Sequence, residues 1–500
     1  MALDLAPDVL VIGSGIGGAS ATYGLAATGA RIVVLERGRR VANTSQTRDD
    51  RSIYQQGYFR SAETWRDARG REFSPGNYYN VGGNSKFYGA VLYRYRAEDF
   101  SPRSHGEGDS PGWPITYAEI EPWYGKAENL FQVRGSLGED PTEPFHSTPY
   151  AHSAVPDEPS IAEVRQRLKR VGLLPSSLPL AIDIEKWLTR ARTPWDGFPD
   201  TFTGKIDAET GPLEAALAHP NVSLVENAEV LTIKAGADGR RIEVVFARVD
   251  GKVMRFTPGT TILAAGAVQS AAILLRSRAG GVANSSGQVG RNFMNHNCTA
   301  MITIDPLLRN RSIYQKTLGL NDFYLKDPRT GMPLGNVQLL GKISAPILKA
   351  NLTWMPETLL RPVTAHSIDW YLMSEDLPNP TSRVLVDGRG IKLDWQRSNL
   401  AAHQMLVART RERFRAAGFP IVLSKAFDKR TPSHQCGTAA MGTDPASSVV
   451  DTFGRSHDHE NLLICDASVL PTSAAVNPAL TVAALALRAA DRLRKNDLNA

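Results

Sequence analysis

Short apolar runs separated by segments of small residues dominate the first forty positions of the chain. Residues 9–12 read VLVI and residues 32–35 read IVVL, and uninterrupted apolar runs of this length are typical of strands buried in a parallel sheet. Between them, residues 19–28 have the composition of a helix, and Gly29 follows as a stop signal. The pattern therefore predicts a strand, a helix and a second strand.

Similar patterns return in the middle and near the end of the chain. Residues 219–235 predict a strand, a turn and a strand, and residues 261–277 predict a buried strand followed by a helix. Residues 461–466 (NLLICD) predict another buried strand, which ends in Asp466. Residues 477–493 predict a long helix with Pro478 in its first turn. We expect the segment 261–277 to belong to the same domain as the first forty residues.

Two long stretches lack this pattern. Residues 101–204 contain several prolines and tryptophans with little periodicity, which predicts an irregular cover over a site. Residues 301–430 contain short strand candidates, such as NVQLLGK at 336–342 and a hairpin signal, DGRG, inside residues 382–395. Because 500 residues are too many for one ordinary core, we expect two or more domains.

Composition and charge exclude several classes of function. The chain is 42% hydrophobic and 22% charged, as in globular proteins, and a net charge of +6 without a dense basic patch does not predict nucleic-acid binding. No apolar run reaches about 18 residues, so no membrane span is predicted. Three scattered cysteines predict neither a disulfide framework nor a zinc site. With no signal-peptide pattern, we expect a cytoplasmic protein.

Glycines follow the first predicted strand in a spacing that is typical of dinucleotide binding. Gly13, Gly15 and Gly18 form G-x-G-x-x-G, in which the first allows a tight turn, the second lets backbone approach a pyrophosphate, and the third lets the helix pack closely. Glu36, at the end of the second predicted strand, is placed to accept hydrogen bonds from ribose hydroxyls. NAD and FAD both remain open, and the position near the N-terminus favours FAD.

The order and spacing of several short blocks resemble the glucose-methanol-choline (GMC) oxidoreductases, a family of FAD-dependent alcohol oxidases and dehydrogenases. The blocks are the N-terminal unit, residues 81–90 (VGGNSKFYGA), 207–233, 261–277, 289–296 (VGRNFMNH) and the tail from residue 433. The resemblance implies an α/β fold, with a doubly wound, Rossmann-like FAD-binding domain and a substrate domain with a mostly antiparallel sheet. It implies an FAD-binding domain formed by 1–100, 205–300 and 431–500, a cover at 101–204 and a substrate-binding domain at 301–430.

The resemblance also implies which residues hold FAD. Gly82, Gly83, Asn84 and Ser85 would line the isoalloxazine edge, where glycines let the main chain approach a planar ring. Further positions assigned to the cofactor are Val230, Ala265, Gly266, Asp466, Pro478 and Thr481. Some members carry a histidine just after the glycine pair that bonds covalently to flavin. Residues 84–87 read NSKF here, so we expect non-covalent FAD.

Alcohol oxidation removes the proton of a hydroxyl group and a hydride from the carbon that bears it. Histidine is the side chain best suited to take that proton. His434 lies in the tail block where GMC enzymes place this base, with the hydride passing to flavin N5. Asn477 matches the second member of their catalytic pair and would orient the substrate oxygen. His296 resembles a near-cofactor structural residue of relatives. His457 and His459 are expected in a solvated loop, and no metal site is expected.

The substrate class is open between two main alternatives. Residues 196–224 resemble a block of pyranose oxidases and bacterial sugar dehydrogenases, which favours oxidation of a secondary sugar or glycoside hydroxyl to a keto sugar, at carbon 3 ahead of carbon 2. A primary aliphatic or aromatic alcohol is the other. An NAD-dependent dehydrogenase and a non-catalytic flavin electron-transfer subunit are further alternatives. Trp370 and Tyr371 are candidates to stack on a sugar or to lie in the core, and the expected electron acceptor is oxygen or a quinone-like compound.

Overall fold

The computed structural model describes residues 5–191, 195–199, 201–431 and 434–498. Within these ranges the strands are β1 Val9–Ile12, β2 Ile32–Leu35, β3 Trp65–Asp67, β4 Glu72–Phe73, β5 Arg103–His105, β6 Gly108–Ser110, β7 Arg134–Gly135, β8 His152–Ser153, β9 Ser176–Ser177, β10 Val222–Val225, β11 Ala228–Ala235, β12 Ile242–Val249, β13 Lys252–Phe256, β14 Thr260–Leu263, β15 Asn297–Ile304, β16 Leu318–Leu320, β17 Asn336–Leu339, β18 Ser367–Ser374, β19 Arg383–Asp387, β20 Gly390–Asp394, β21 Ile421–Ala426 and β22 Leu462–Ile464.

The α-helices of the same ranges are α1 Ile16–Ala26, α2 Tyr117–Leu130, α3 Pro159–Arg170, α4 Ile184–Lys186, α5 Glu214–Leu217, α6 Ala267–Arg276, α7 Ala345–Lys349, α8 Glu357–Ala365, α9 Leu400–Ala416 and α10 Ala479–Asn496. Short 3-10 and π turns connect several of them. The predicted strand-helix-strand unit is confirmed as β1, α1 and β2.

A five-stranded parallel sheet brings together segments from the beginning, middle and end of the chain. Its order is β10-β2-β1-β14-β22, and all neighbouring strands run parallel. Along β1, Val9 and Val11 pack with α1 and α10 on one face, whereas Leu10 and Ile12 join the cluster that contains α6 and β12 on the other. Helices and strands cover both faces, so continuous apolar runs are required. This is the α/β fold predicted from the sequence.

A second, antiparallel sheet holds most strands of residues 297–426. Its order is β21-β15-β18-β17-β16-β9, and every pairing is antiparallel. Side chains alternate across it, because successive residues of a strand point to opposite faces. Val337, Leu339, Trp370 and Leu372 pack with α3 and α9 on one face. We call the opposite face the polar face; it carries Asn336, Gln338, Tyr371 and Met373.

A four-stranded sheet ties the two parts together. The hairpin β19-β20 forms at the predicted DGRG turn, and β20 then pairs in parallel with β3 from the N-terminal segment. Residues 65–73 therefore pair with the segment that the sequence assigns to substrate binding. Val384, Ile391 and Leu393 of the hairpin pack in the same hydrophobic cluster as Leu10 and Ile12 of β1, whereas the apolar face of the antiparallel sheet packs in a separate cluster.

The segment 101–204 is more regular than its sequence indicates, because it contains α2 and α3. The apolar stripe of α2 is interrupted by Glu121 and Glu128, which are buried as partners of the equally buried Arg94 at 2.9 Å and 2.7 Å. Thr116 caps the helix in a capping box with Glu119. Buried charges that find partners from elsewhere in the chain hide the helical period, so this helix was not predicted.

Candidate active site

The turn between β1 and α1 is shaped by three glycines with different constraints. Gly13 has φ +100°, and a Cβ there would lie 2.4 Å from the Ala264 carbonyl oxygen. A Cβ on Gly18 would lie 2.0 Å from the Gly13 carbonyl oxygen, so helix and strand are in close contact. At Gly15 a Cβ would meet nothing within 4 Å. The open space beside Gly15, next to the start of α1, fits a pyrophosphate.

The second glycine pair lies directly against this turn. Gly82 and Gly83 both have positive φ, +86° and +56°, and the Gly82 amide donates to the Ser14 hydroxyl at 3.0 Å. A Cβ on Gly83 would lie 3.5 Å from the Gly15 Cα. Ser85 donates to the Gly82 carbonyl at 2.6 Å, and the exposed Asn84 accepts from the Tyr78 amide at 2.9 Å. The structure thus brings together two glycine segments that are 67 residues apart in the chain.

A buried charge cluster supports this second glycine pair. Lys86 is fully buried, with its ammonium 3.0 Å from Asp207 and 2.7 Å from Glu209, and Arg40 contacts the other oxygen of Glu209. Burial opposes the charge on Lys86, but the two carboxylates prevail and raise its pKa. A Cβ on Gly82 would lie 3.0 Å from the Lys86 side chain. Sequence reasoning missed this cluster, since its acids lie about 120 positions from the lysine.

Glu36 and Asp466 both end strands of the parallel sheet, but they have different partners. Glu36 accepts from the Ser14 amide and hydroxyl at 3.0 Å and 2.6 Å and from the Gly38 amide at 3.0 Å, and burial raises its pKa. Asp466 accepts from the Gly266 amide at 2.9 Å and from the Ser468 amide at 2.8 Å. Through these hydrogen bonds, Asp466 joins the C-terminal segment to the residues that follow β14.

The remaining cofactor candidates lie at separate edges of this region. Ala265 is adjacent to the first turn, because its Cα lies 3.1 Å from the Cβ position of Gly13. A Cβ on Gly266 would meet nothing within 4 Å. The Val230 carbonyl accepts from Arg276 at 2.6 Å. Pro478 is the N-cap of α10, and the buried Thr481 hydroxyl lies 2.8 Å from the Tyr124 hydroxyl, which joins α10 to α2.

Asn477, just before α10, has a buried side-chain oxygen without a hydrogen-bond partner among the described residues. Buried amide oxygens are nearly always satisfied in folded proteins. The side chain is only partly buried as a whole, so it borders an open region. This geometry fits a side chain that completes its hydrogen bonds with a bound molecule.

The two histidines of the site are in direct contact. Nδ1 of His434 lies 2.9 Å from Nδ1 of His296, and the ring planes cross at 78°. His434 has φ +71°, a left-handed conformation that a non-glycine residue rarely adopts. Desolvation by the surrounding protein is the main reason that its pKa is well below the usual range, and the positive charge of Lys316 lowers it further. The residue as a whole is only partly buried, and a neutral imidazole can accept a proton.

The polar face of the antiparallel sheet points to the same region as these histidines. His296 directly precedes β15, and by alternation it shares a face with Cys298, which accepts from the Tyr371 hydroxyl at 3.0 Å. Tyr371 is opposite Gln338 in register. Trp370 points the other way and packs against Phe414, so it is a core residue. Buried polar atoms without a partner among the described residues occur on this side at Asn336 Oδ1 and Gln338 Oε1.

A buried ion pair lies close to the same histidine. The Lys316 ammonium is 3.2 Å from Asp196, which lies in the described part of the cover. A Cβ on Gly89 would lie 1.7 Å from the Lys316 ammonium, so the lysine occupies space that only a glycine leaves free. Lys205 donates to the carbonyls of Lys86, Asp196 and Phe198 at 2.6, 3.1 and 2.6 Å. The cover is thereby fixed to the segment that follows the second glycine pair.

The described residues contain no group of three or more His, Cys, Asp or Glu side chains arranged to hold a metal. His459 accepts from the Ala283 amide at 3.2 Å and contacts the Gly239 carbonyl at 2.8 Å, and His457 contacts Ser448 at 2.9 Å. In the same part of the chain, no helix has the length and apolar character needed to cross a membrane.

Comparisons with known proteins agree with this geometry. Residues 8–289 match the FAD dependent oxidoreductase family, and residues 390–486 match the GMC oxidoreductase family. The chain is 30% identical to the 6'''-hydroxyparomomycin C oxidase of Streptomyces lividus, over 96% of this chain and 90% of the relative. It is 27% identical to the fructose dehydrogenase large subunit of Gluconobacter japonicus, over 99% and 98%. The crystal structure of pyridoxine 4-oxidase from Mesorbium loti matches with a TM-score of 0.63 and 18% identity, over 98% and 99%, and shares the fold.

Proposed function

Because the chain belongs to the GMC oxidoreductase family of FAD-dependent oxidoreductases, we propose that it oxidises a hydroxyl group of a sugar or glycoside. The family establishes the coarser statement: the protein is an enzyme that uses FAD to oxidise an alcohol, and non-covalent binding is the usual mode in the family. The finer proposal is a secondary ring hydroxyl, converted to a keto sugar, with carbon 3 preferred to carbon 2.

The observation that carries the sugar proposal is the set of unsatisfied polar atoms on the polar face. Asn336 and Gln338 each bury an oxygen that has no partner among the described residues. Leaving such an atom unpaired costs about 1–3 kcal/mol, so a site that keeps two of them fits a substrate with more than one hydroxyl. A simple aliphatic alcohol has too few hydroxyls to pair both. The relatives named for fructose and for paromomycin derivatives support the same substrate class.

Two side chains are proposed to act on the substrate hydroxyl. His434 takes the hydroxyl proton, since its lowered pKa keeps the imidazole neutral. Asn477 donates a hydrogen bond from its side-chain nitrogen that orients the substrate oxygen, and its unsatisfied side-chain oxygen can accept a further hydrogen bond from the substrate. When bound, FAD supplies the acceptor for the hydride.

The division of the chain follows from the same proposal. Residues 1–100, 205–300 and 431–500 would form the FAD-binding domain, 101–204 the cover and 301–430 the substrate-binding domain. The parallel sheet draws its strands from the first set, and the polar face draws most of its residues from the last. Oxygen or a quinone-like compound would reoxidise the flavin.

A primary hydroxyl is the second candidate, and one relative favours it. The name 6'''-hydroxyparomomycin C oxidase refers to a hydroxyl at a 6 position, and carbon 6 of a hexose carries a primary hydroxyl. Oxidation at that carbon would give an aldehyde instead of a ketone.

Anaerobic reduction of the FAD-loaded enzyme with a panel of sugars, glycosides and simple alcohols tests the proposal. We expect bleaching of the flavin absorbance by sugars or glycosides and a ketone product by NMR. An aldehyde product would select the second candidate, and reduction only by simple alcohols would overturn the sugar proposal. His434→Ala should retain FAD and slow reduction by about two to four powers of ten. His152→Ala, at an exposed position, is the matched control and should leave the rate unchanged.

A further inference from the structure

We propose that His296 is a positioning residue that fixes the proton of His434 on Nδ1 and thereby leaves Nε2 of His434 free to take the substrate proton. The inference rests on the proposed function, in which His434 is the base. It assigns to a buried histidine a task that goes beyond filling space near the cofactor.

The first step is the tautomer of His296. The residue is 1% exposed, and its Nε2 lies 2.8 Å from the Ser473 carbonyl oxygen. A carbonyl oxygen can only accept a hydrogen bond, so Nε2 of His296 must carry the hydrogen. In a neutral ring, Nδ1 of His296 then holds a lone pair. Burial supports neutrality, because it lowers the pKa of His296.

The second step concerns the contact between the two rings. The Nδ1 atoms are 2.9 Å apart, which is a hydrogen-bond distance, so one of them must carry the hydrogen. Since Nδ1 of His296 has the lone pair, Nδ1 of His434 is the donor. Nε2 of a neutral His434 is then unprotonated. The opposite tautomer of His434 would place a hydrogen on Nε2 and could not accept another.

The third step is the change during reaction. The substrate hydroxyl proton moves to Nε2 of His434, whose ring becomes an imidazolium; FAD, when bound, would supply the acceptor for the hydride of the carbon that bears this hydroxyl. The Nδ1–H bond of His434 to His296 then becomes a charge-assisted hydrogen bond, which is stronger than the neutral one. His296 therefore stabilises the protonated base while it fixes its tautomer. The Ser473 carbonyl orients His296 and belongs to the loop that leads to Asn477.

Two conservative substitutions separate this role from a merely structural one. In His296→Asn the side-chain oxygen occupies the place of Nδ1 and still accepts from His434, but the contact with Ser473 is lost. In His296→Gln the amide nitrogen occupies the place of Nε2 and still donates to Ser473, but no acceptor faces His434. We expect His296→Gln to slow anaerobic flavin reduction about ten- to a hundredfold, as for losses of partners that orient a functional imidazole, and His296→Asn to remain within a few fold of wild type.

The reverse order of the two variants would show that His296 only holds Ser473 and would overturn the proposal. FAD content and thermal melting are measured on both, and because the variants are complementary, loss of folding in one still leaves the other to decide. The double variant His296→Gln/His434→Ala should be as slow as His434→Ala alone. A further tenfold loss in the double variant would mean that His296 acts independently of His434, which also overturns the proposal.

Nitrogen-15 NMR of histidine-labelled, FAD-loaded protein gives a readout that does not depend on turnover. The His434 signals are assigned by their absence in His434→Ala. They should show a protonated Nδ1 and an unprotonated Nε2 in wild type and His296→Asn, and a shift toward protonated Nε2 in His296→Gln. An Nε2-protonated His434 in wild type would overturn the proposal. If instead His434→Ala reduces FAD at the wild-type rate, the proposed role of His434 as the base fails while the NMR result still decides the tautomer.

Discussion

The two sides of the active site use side chains in opposite ways. On the FAD side, Gly15 leaves open space beside the backbone, and Gly13 allows the Ala264 carbonyl to approach more closely than a Cβ would permit. On the substrate side, the polar face and the cover fill the space with Gln338, the Lys316–Asp196 pair and other polar groups. The FAD side must bind one cofactor throughout the family, whereas the substrate side must match the molecule that each member oxidises. The difference teaches that a dinucleotide site can be predicted from glycines at fixed spacing, whereas the substrate class depends on the polar groups that are present.

The largest expected effect is on the FAD side. Gly15→Val places a branched side chain in the space that fits the pyrophosphate, so the purified protein should lack FAD. Flavin absorbance of the folded protein is the measurement, and acid precipitation of wild type should release FAD into the supernatant. Gly29→Asn, at φ +78° with open space beyond α1, is the matched control and should keep FAD. A fully loaded Gly15→Val protein would show that the cofactor does not approach this turn.

The buried charge of Lys86 tests whether the second glycine pair on the FAD side also needs side chains to support it. Lys86→Met would leave Asp207 and Glu209 buried without their shared cation and should destabilise the protein by about 3–5 kcal/mol. Denaturant unfolding of the FAD-loaded protein measures this. Arg240→Met, which removes an exposed pair with Glu460, is the control and should not change the unfolding midpoint measurably. Equal midpoints in the two variants would mean that the cluster does not support the glycine pair.

These two predictions also show which features could be read from the sequence. The glycine spacing, the parallel strands and α10 were predictable because their signals are local: a buried strand is a continuous apolar run, and a tight turn needs glycine at a fixed offset. His434 and Asn477 could be assigned only through the family resemblance. The helix α2, the Lys86 cluster and the His296–His434 contact could not be predicted, because each depends on a partner far away in the chain. Glutamates are usually exposed, and only the structure shows that Glu121 and Glu128 are paired with Arg94.

Asn477 is assigned to the substrate hydroxyl, and a neutral and a charged substitution there test that assignment. Asn477→Ala loses one donor and should slow flavin reduction by the equivalent of about 2.7–4 kcal/mol, if it behaves like one oxyanion-hole contact. Asn477→Asp should be slower still, because a carboxylate would lie beside an oxygen that gains negative character as its proton leaves. Anaerobic reduction with the best sugar of the panel compares them. An Asp variant as fast as wild type would mean that Asn477 only caps the helix.

The smallest expected effect concerns the substrate side and is a shift in pH dependence. Burial and the positive charge of Lys316 together keep the pKa of His434 well below its ordinary value. As the proposed base, His434 must be neutral to accept the proton, so flavin reduction should rise as pH increases through that pKa and be constant above it. Lys316→Met removes a charge that disfavours the imidazolium and leaves the Asp196 carboxylate, which favours it. Both changes raise the pKa of His434, so the rising limb of the rate profile should move to higher pH. The plateau rates of wild type and Lys316→Met should differ less than their rates on the rising limb.

Lys126→Met, at an exposed position on α2, is the control and should leave the rising limb at the wild-type pH. If the rising limb stays at the wild-type pH or moves to lower pH in Lys316→Met, the Lys316–Asp196 pair does not lower the pKa of His434, and its role is only to hold the cover in place.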